Sequence, residues 1–350
     1  MGKKLYSDGE MLSPITDYES VKNADGKTLK QDIDGIGQIL HGVTEEEFEV
    51  DVQYESPIKD SQLTDELGTF APKTKYKHKC YFKAFASDKK AKLIISMPGG
   101  GMKARAWYDY MNTGEIFNSL GYAVLCITGY SADYMALKGV TSGAAPVGSW
   151  YATEEVIKAY KYLTEKYKWI DTEGVYIYAE SQGGNIAENV VDAGGMPIKA
   201  VALDAPALSI QLVQMSLRIS SVTAIYGITS GNFDKNKCIG CDPWTRNVSE
   251  PLTTDYNTLT AKKYRNTNSP LLIIGGLSDA LVSPSTLKSY SKALMNAGQW
   301  VEYHAYPNVA HGVVELTPVY GRVGTKNCTH GLADVLSFFE RSGGYDFNAT

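Results

Sequence analysis

The chain has 350 residues, of which 43% are hydrophobic and 21% are charged, and its formal net charge is −5. This length and composition predict a soluble globular protein with one large α/β domain and a smaller addition. The lack of a basic balance argues against nucleic-acid binding. No apolar run is long enough to span a membrane, and the first residues lack a secretory signal, so we expect synthesis in a cytoplasm and no membrane partner.

Residues 1–45 differ in pattern from the rest and are predicted to form an amino-terminal appendage. A helix is predicted over 28–40, where Thr28 and Gln31 can form a capping box. Its apolar residues form a short heptad stripe: Leu29, Ile33, Ile36 and Leu40. Because the stripe is too short for a stable isolated helix, it must pack either on its own domain or on copies of itself.

The segment 17–39, with Asn23-Ala24-Asp25-Gly26-Lys27-Thr28-Leu29, resembles the amino-terminal modules of bacteriophage tail-fibre and tail-spike proteins. That resemblance implies a virion-attached homotrimer that acts on bacterial surface glycans. Without it, the expected location is cytoplasmic.

From about residue 74 onward, strand-like and helix-like runs alternate, which predicts a mostly parallel sheet with helices on both faces. The strand-like runs are 76–84, 93–97, 123–129, 175–179, 200–204, 271–275 and 301–306. The helix-like runs are 104–120, 151–167, 182–192, 285–297 and 332–341. The alternation fails at about 208–268, which predicts a cap inserted over the active site. The catalytic domain is predicted to span 46–350.

Residues Ala179-Glu180-Ser181-Gln182-Gly183 lie where a buried strand pattern runs into a helical one. A serine on so sharp a turn points its hydroxyl outward, where a histidine can deprotonate it. Small neighbours are needed for the helix to pack closely against the strand, and Gly183 and Gly184 meet this need. We therefore predict that Ser181 is a nucleophile.

Ser181 needs a general base, and the chain has five histidines. His311 follows the last predicted strand, at the edge where α/β sheets gather catalytic groups. It is the predicted base, and His330 is its rival. The other three histidines are not expected to be the base, because His41 and His78 lie amino-terminal to the predicted core and His304 lies within a predicted strand.

The base must be oriented by a carboxylate. Asp279 follows the strand run 271–275 after a short turn, so we expect it on the same sheet edge as Ser181 and His311. Asp204, at the end of its own predicted strand, is the alternative acid or a purely structural residue.

A glycine run, Pro98-Gly99-Gly100-Gly101, follows the strand run 93–97. Three glycines allow backbone amides to turn inward without a Cβ in the way. The run resembles the HGGG loop of lipases and esterases, with proline in place of histidine. By that resemblance, the amides of Gly99, Gly100 and Gln182 are the oxyanion donors.

Together, the serine turn, the glycine run and the chain order serine, acid, histidine resemble the α/β-hydrolase superfamily over residues 74–342. The sequence around Ser181 is similar to that of carbohydrate esterases and prolyl-oligopeptidase-like hydrolases. This resemblance implies a serine hydrolase without a metal or organic cofactor, whose substrate is an acylated glycan or a small ester.

Cys238 and Cys241 form a CxxC pair, which fits a metal half-site, a redox pair or a tight disulfide. A structural zinc would need two further ligands, and only Cys328 and His330 are available for this. The expected outcome is a loop with two thiols and no metal.

The predicted function is therefore hydrolysis of carboxylic esters, with two alternatives: an oligopeptidase-like serine peptidase, and a phage adhesion protein that binds glycan without catalysis. Five aromatic residues are predicted near the cleft, although most of them could equally belong to the core: Trp107, Tyr108, Tyr130, Trp150 and Trp244.

Overall fold

The computed structural model describes residues 6–7, 10–11, 42–53, 75–85, 90–100, 102–110, 113–133, 150–208, 268–314 and 329–343. The predicted helix over 28–40, the tail-fibre-like segment 17–39 and the interior of the predicted cap lie outside these residues. Two short strands, Tyr6–Ser7 and Glu10–Met11, pair antiparallel.

An eight-stranded sheet forms the centre of the fold. Its strands are β1 (Val43–Gln53), β2 (Lys75–Phe85), β3 (Ala91–Met97), β4 (Ala123–Cys126), β5 (Ile170–Glu180), β6 (Ile198–Asp204), β7 (Leu271–Gly276) and β8 (Val301–Tyr306). Their spatial order is β8-β7-β6-β5-β3-β4-β2-β1. All neighbours are parallel except β2, which runs antiparallel to both β4 and β1. The predicted fold class, a mostly parallel α/β-hydrolase sheet, is confirmed.

Helices cover both faces of this sheet. They are α1 (Ala104–Asp109), α2 (Thr113–Ser119), α3 (Trp150–Lys166), α4 (Gln182–Ala193), α5 (Pro284–Asn296) and α6 (Thr329–Gly343). Buried side chains of α3, α4 and α5 share one hydrophobic core, and those of α1, α2 and α6 share the other. Among the residues that the structure describes, none of these helices combines the length and hydropathy needed to cross a bilayer.

Successive side chains of β5 point alternately into the two hydrophobic cores. Val175, Ile177 and Ala179 pack into the core under α3 and α4, while Tyr176 and Tyr178 pack into the opposite one. A strand buried on both faces needs apolar residues at nearly every position, and this is why its sequence is an almost continuous apolar run. That burial fixes the strand end from which the nucleophile turn leaves.

Strand β1 was not predicted, because the expected alternation begins only at about residue 74. Its sequence is rich in glutamate, but Phe48, Val50 and Val52 alternate with charged residues and are buried. β1 pairs along its whole length with β2, where Glu49 lies opposite Lys79 and Asp51 opposite Lys77. Its acidic outer residues conceal a period-two pattern that is typical of an edge strand.

Two further predictions differ from the structure. The helix predicted over 104–120 is two helices, and the ring of Tyr108 occupies the space that a side chain at Gly114 would need, 2.3 Å from an added Cβ. The strand predicted over 123–129 ends at Cys126, and Gly129 has a φ of +83° that a strand does not accept.

His78, which was expected amino-terminal to the core, lies within β2, in the strand run predicted over 76–84. Its ring is fully buried, and Nδ1 lies 2.5 Å from the carboxylate of Glu155 on α3. The same carboxylate accepts hydrogen bonds from the amides of Thr128 and Gly129. His78 therefore belongs to a buried polar cluster that ties β2, α3 and the segment after β4 together.

Candidate active site

The turn between β5 and α4 presents Ser181. β5 ends at Glu180, α4 begins at Gln182, and Ser181 between them has φ 51° and ψ −117°. A positive φ is uncommon for a residue with a side chain. Here it is held by backbone hydrogen bonds from the Ser181 N–H to the Asp204 carbonyl, 2.8 Å, and from the Ala207 N–H to the Ser181 carbonyl, 2.7 Å. A strained strand-to-helix turn of this kind is what the pattern predicts around Ser181.

Two glycines allow this turn to pack against its surroundings. A Cβ at Gly183 would lie 2.5 Å from the Met97 carbonyl oxygen, and one at Gly184 would lie 2.3 Å from Cβ of Pro206. Both distances are below the closest approach of real atoms, so neither position accepts a larger residue without movement. The predicted need for small residues on this side of Ser181 has a direct steric cause.

The structure brings the three predicted triad residues together. His311 Nε2 lies 2.9 Å from Ser181 Oγ, and His311 Nδ1 lies 2.8 Å from Asp279 Oδ2. These side chains are 130 and 32 positions apart in the chain, yet they form one continuous line of hydrogen bonds. When Nδ1 carries the proton, it donates to the carboxylate, and Nε2 then accepts from the serine hydroxyl.

Asp279 is anchored on both oxygens. Oδ2 faces His311, while Oδ1 accepts hydrogen bonds from the amides of Leu281 and Val282 at 2.7 and 2.9 Å. Its side chain is 1% exposed, compared with 19% for His311. A carboxylate that is shielded from water but fully bonded can hold an imidazole in one orientation.

The glycine loop lies directly beside the nucleophile. A Cβ at Gly99 would lie 3.7 Å from Cβ of Ser181, and the Gln182 side-chain amide donates a 3.2 Å hydrogen bond to the Gly99 carbonyl oxygen. The structure therefore places Gly99 and Gln182, two predicted oxyanion donors, next to Ser181. Gly100 follows in the same loop, and Gly101 lies outside the described residues. The role of the Gln182 side chain in tying the loop to α4 was not predicted.

Asp204, the alternative acid, instead holds the base loop, the segment 307–314 after β8 that carries His311. Its carboxylate is fully buried and accepts hydrogen bonds of 2.8 and 2.9 Å from the Val313 amide and of 2.8 Å from the Val314 amide. Burial raises the pKa of Asp204 to about 6, although the two amides act in the opposite direction. Since the two valines follow His311 closely, Asp204 fixes the segment that carries the base.

The remaining predicted residues have other places. His330, the rival base, is exposed near the start of α6, and the ring that lies at hydrogen-bond distance from Ser181 Oγ is that of His311. Trp107 and Tyr108, predicted near the cleft, are buried core residues, and the Trp107 indole N–H donates to Ser96 Oγ. Trp244 and the cysteines at 238, 241 and 328 lie outside the part of the chain that the structure describes. Within that part, no group of three or more His, Cys, Asp or Glu is arranged to hold a metal ion.

The sequence profile of the prolyl oligopeptidase family matches residues 149–344, which is more than half of the chain. The chain belongs to this family. The matched region contains Ser181, Asp279 and His311, whereas the glycine loop precedes it. A search of curated proteins gives no match.

Solved structures share the fold of this prolyl oligopeptidase family member. An acylaminoacyl peptidase from Pyrococcus horikoshii superposes with a TM-score of 0.61 at 16% identity, covering 97% of this chain and 46% of that one. An acetyl ester-xyloside bifunctional hydrolase from Caldicellulosiruptor lactoaceticus gives 0.53 at 18%, covering 85% and 97%. A bacterial heroin esterase gives 0.52 at 17%, covering 90% and 89%. The chain thus spans less than half the length of the peptidase, and at these identities the likeness concerns the fold alone.

Proposed function

We propose that this prolyl oligopeptidase family member is a serine hydrolase that cleaves carboxylic esters. The observation that carries the proposal is the continuous hydrogen-bonded line Ser181–His311–Asp279, presented on a strained strand-to-helix turn. Such a line serves to deprotonate an alcohol that is a weak nucleophile at neutral pH. A purely structural role would not require the serine hydroxyl to face the imidazole.

In the proposed reaction, Ser181 Oγ attacks the ester carbonyl as its proton passes to His311 Nε2. The resulting tetrahedral oxyanion collapses, the bond to the leaving alkoxide breaks, and His311 returns the proton to that oxygen. Water then repeats the sequence on the acyl-enzyme and releases the acid. Asp279 accepts the Nδ1–H hydrogen bond throughout and stabilises the imidazolium that forms twice in each turnover.

In this proposal, backbone amides donate the hydrogen bonds that stabilise the oxyanion. Gly99, Gly100 and Gln182 are the proposed donors, and the closeness of Gly99 to Ser181, where an added Cβ would lie 3.7 Å from Cβ of Ser181, supports a place for the carbonyl oxygen between the glycine loop and α4. Fixed amides of this kind contribute more to rate than flexible side chains, because they need no reorientation as charge develops.

For the substrate, we propose an acyl group on a glycan, such as an acetyl ester. The fold neighbour named an acetyl ester-xyloside hydrolase supports this class by analogy.

A peptidase is the second candidate function, because the family match and the acylaminoacyl peptidase neighbour both favour it. The same triad would attack an amide, but the leaving amine must be protonated and its peptide held in place. Relative turnover of esters and amides therefore separates the two functions.

The test measures hydrolysis of p-nitrophenyl acetate, acetylated xylan and dipeptide p-nitroanilides by the native protein and by Ser181→Ala. Ester turnover that disappears in Ser181→Ala supports the esterase. Amide turnover at a comparable rate would favour the peptidase. Glycan binding without turnover of any substrate would instead favour an adhesion protein.

A further inference from the structure

Glu180 is a buried acidic residue at the site that the proposed reaction does not use. It ends β5, and the strand's alternation places it on the same face as Tyr176 and Tyr178. That face is the one on which α1 and the base loop pack. Because Ser181 follows directly, the carboxylate emerges from the sheet beside the nucleophile.

The distances from two glycine positions locate this carboxylate between the glycine loop and the loop that carries His311. On one side, a Cβ at Gly99 would lie 3.1 Å from Glu180 Oε1, and the same point lies 3.7 Å from Cβ of Ser181. On the other side, a Cβ at Gly312 would lie 3.6 and 4.0 Å from the two carboxylate oxygens. Gly312 is the residue after His311. The Glu180 carboxylate therefore lies between the glycine loop and the loop that carries His311, within a few ångströms of both.

Glu180 is only 9% exposed, so its interaction with charges in the site is weakly screened. A negative charge at this place attracts a positive group on the substrate and repels a negative one. A neutral ester interacts with it only through weaker dipole terms. The expected consequence is selection by charge next to the scissile carbonyl.

We propose that Glu180 is a specificity-determining residue that favours substrates carrying an ammonium group beside the scissile carbonyl, as in aminoacyl esters, over carboxylate-bearing ones. This inference rests on the proposed ester hydrolysis and adds a preference for charge to it. Glu180 is not needed for the chemical step, because the triad and the oxyanion amides are complete without it.

The test compares four p-nitrophenyl esters in two isosteric pairs. Glycyl and propionyl esters differ in an ammonium against a methyl group, and malonyl and isovaleryl esters differ in a carboxylate against an isopropyl group. Each kcat/KM, measured at about pH 6.5 so that the amine is largely protonated, is divided by the hydroxide-catalysed rate of the same ester to remove intrinsic reactivity. In the native protein we expect the normalised glycyl/propionyl ratio to exceed one and the malonyl/isovaleryl ratio to fall below one.

The isosteric variant Glu180→Gln removes the charge. We expect its glycyl/propionyl ratio to fall about tenfold and its malonyl/isovaleryl ratio to rise by a similar factor, since a unit charge a few ångströms away in a poorly screened site has at least this effect. Propionyl turnover should change by less than about threefold. The control is Glu188→Gln on α4, whose carboxylate is also buried but accepts a 2.8 Å hydrogen bond from the Tyr290 hydroxyl of α5. It should leave both ratios unchanged.

Normalised ratios of about one in the native protein would overturn the inference without any variant. Ratios that do not change in Glu180→Gln would also overturn it. A fall in propionyl turnover equal to the fall in glycyl turnover would show a structural role and would also overturn it. If none of the four esters is hydrolysed, or if Ser181→Ala hydrolyses them as the native protein does, the proposed function fails together with this inference.

Discussion

Gly183 lies against the backbone of the neighbouring strand so closely that an added Cβ would stand 2.5 Å from the Met97 carbonyl oxygen and 2.7 Å from that of Pro98. The obstacles are main-chain atoms, which cannot rotate away as a side chain could. This contact sets the distance between the nucleophile turn and the strand that leads into the glycine loop.

Gly183→Ala is therefore expected to destabilise the protein by about 1–3 kcal/mol, the usual cost of forcing extra atoms into a packed interior. Chemical denaturation measures the change. The control is Gly100→Ala, because a Cβ at Gly100 meets no atom within 4 Å. Equal stability of Gly183→Ala and the native protein would contradict the close packing.

Asp279→Asn tests the carboxylate that orients the base. The amide can still accept from Leu281 and Val282, but it cannot stabilise an imidazolium and favours the wrong imidazole tautomer. We expect kcat for p-nitrophenyl acetate to fall by about 10³–10⁴ with little change in melting temperature. A loss of less than about tenfold would show that Asp279 does not act on His311 during the reaction.

Asp204 gives a prediction for stability as a function of pH. Burial raises its pKa in the folded protein to about 6, above the value of about 3.9 in an unfolded chain. The folded state thus binds this proton more tightly, and the stability from that difference is fully present below the unfolded pKa and is lost as pH rises through about 6. Asp204→Asn has no such proton.

The measurement is the free energy of unfolding of the native protein and of Asp204→Asn between about pH 4 and pH 7. The native protein's value minus the variant's should decrease by about 2 kcal/mol or more as pH rises through this window. An increase would mean that the amides of Val313 and Val314 stabilise the carboxylate by more than burial disfavours it.

The amino-terminal segment stays a prediction that the solution mass can test. β1 begins at Val43 and pairs with β2, so a truncation should remove residues 1–41 and leave the sheet intact. If the heptad stripe over 28–40 forms a trimer, the full chain should have three times the mass of one chain, and the truncated protein the mass of one. A single-chain mass for both proteins would contradict the trimer.

The sequence predicted the sheet best where its strands are buried on both faces. The apolar runs of β5, β6 and β7 are continuous, and their ends mark the edge where Ser181 and Asp279 lie. β1 was not predicted because one of its faces is a row of acidic residues, and the division between α1 and α2 was not predicted because it coincides with the packing of the Tyr108 ring against Gly114. Local pattern contains no information about such tertiary contacts.

The candidate site was predicted in its residues but not in its supports. Chain order and strand ends were enough to name Ser181, Asp279 and His311, which the structure brings within hydrogen-bond distance. The buried bonds of Asp204 to the base loop and the position of Glu180 between two loops could not be predicted. Both depend on how residues more than 80 positions apart in the chain meet in the folded protein.

The most direct test of the account is covalent labelling of the nucleophile with a fluorophosphonate, which reacts with a serine only when a neighbouring base activates it. We predict one label per chain, on Ser181, with no label in Ser181→Ala and labelling at least about 100-fold slower in His311→Ala. Labelling of a different residue, or His311→Ala labelled as fast as the native protein, would contradict the account.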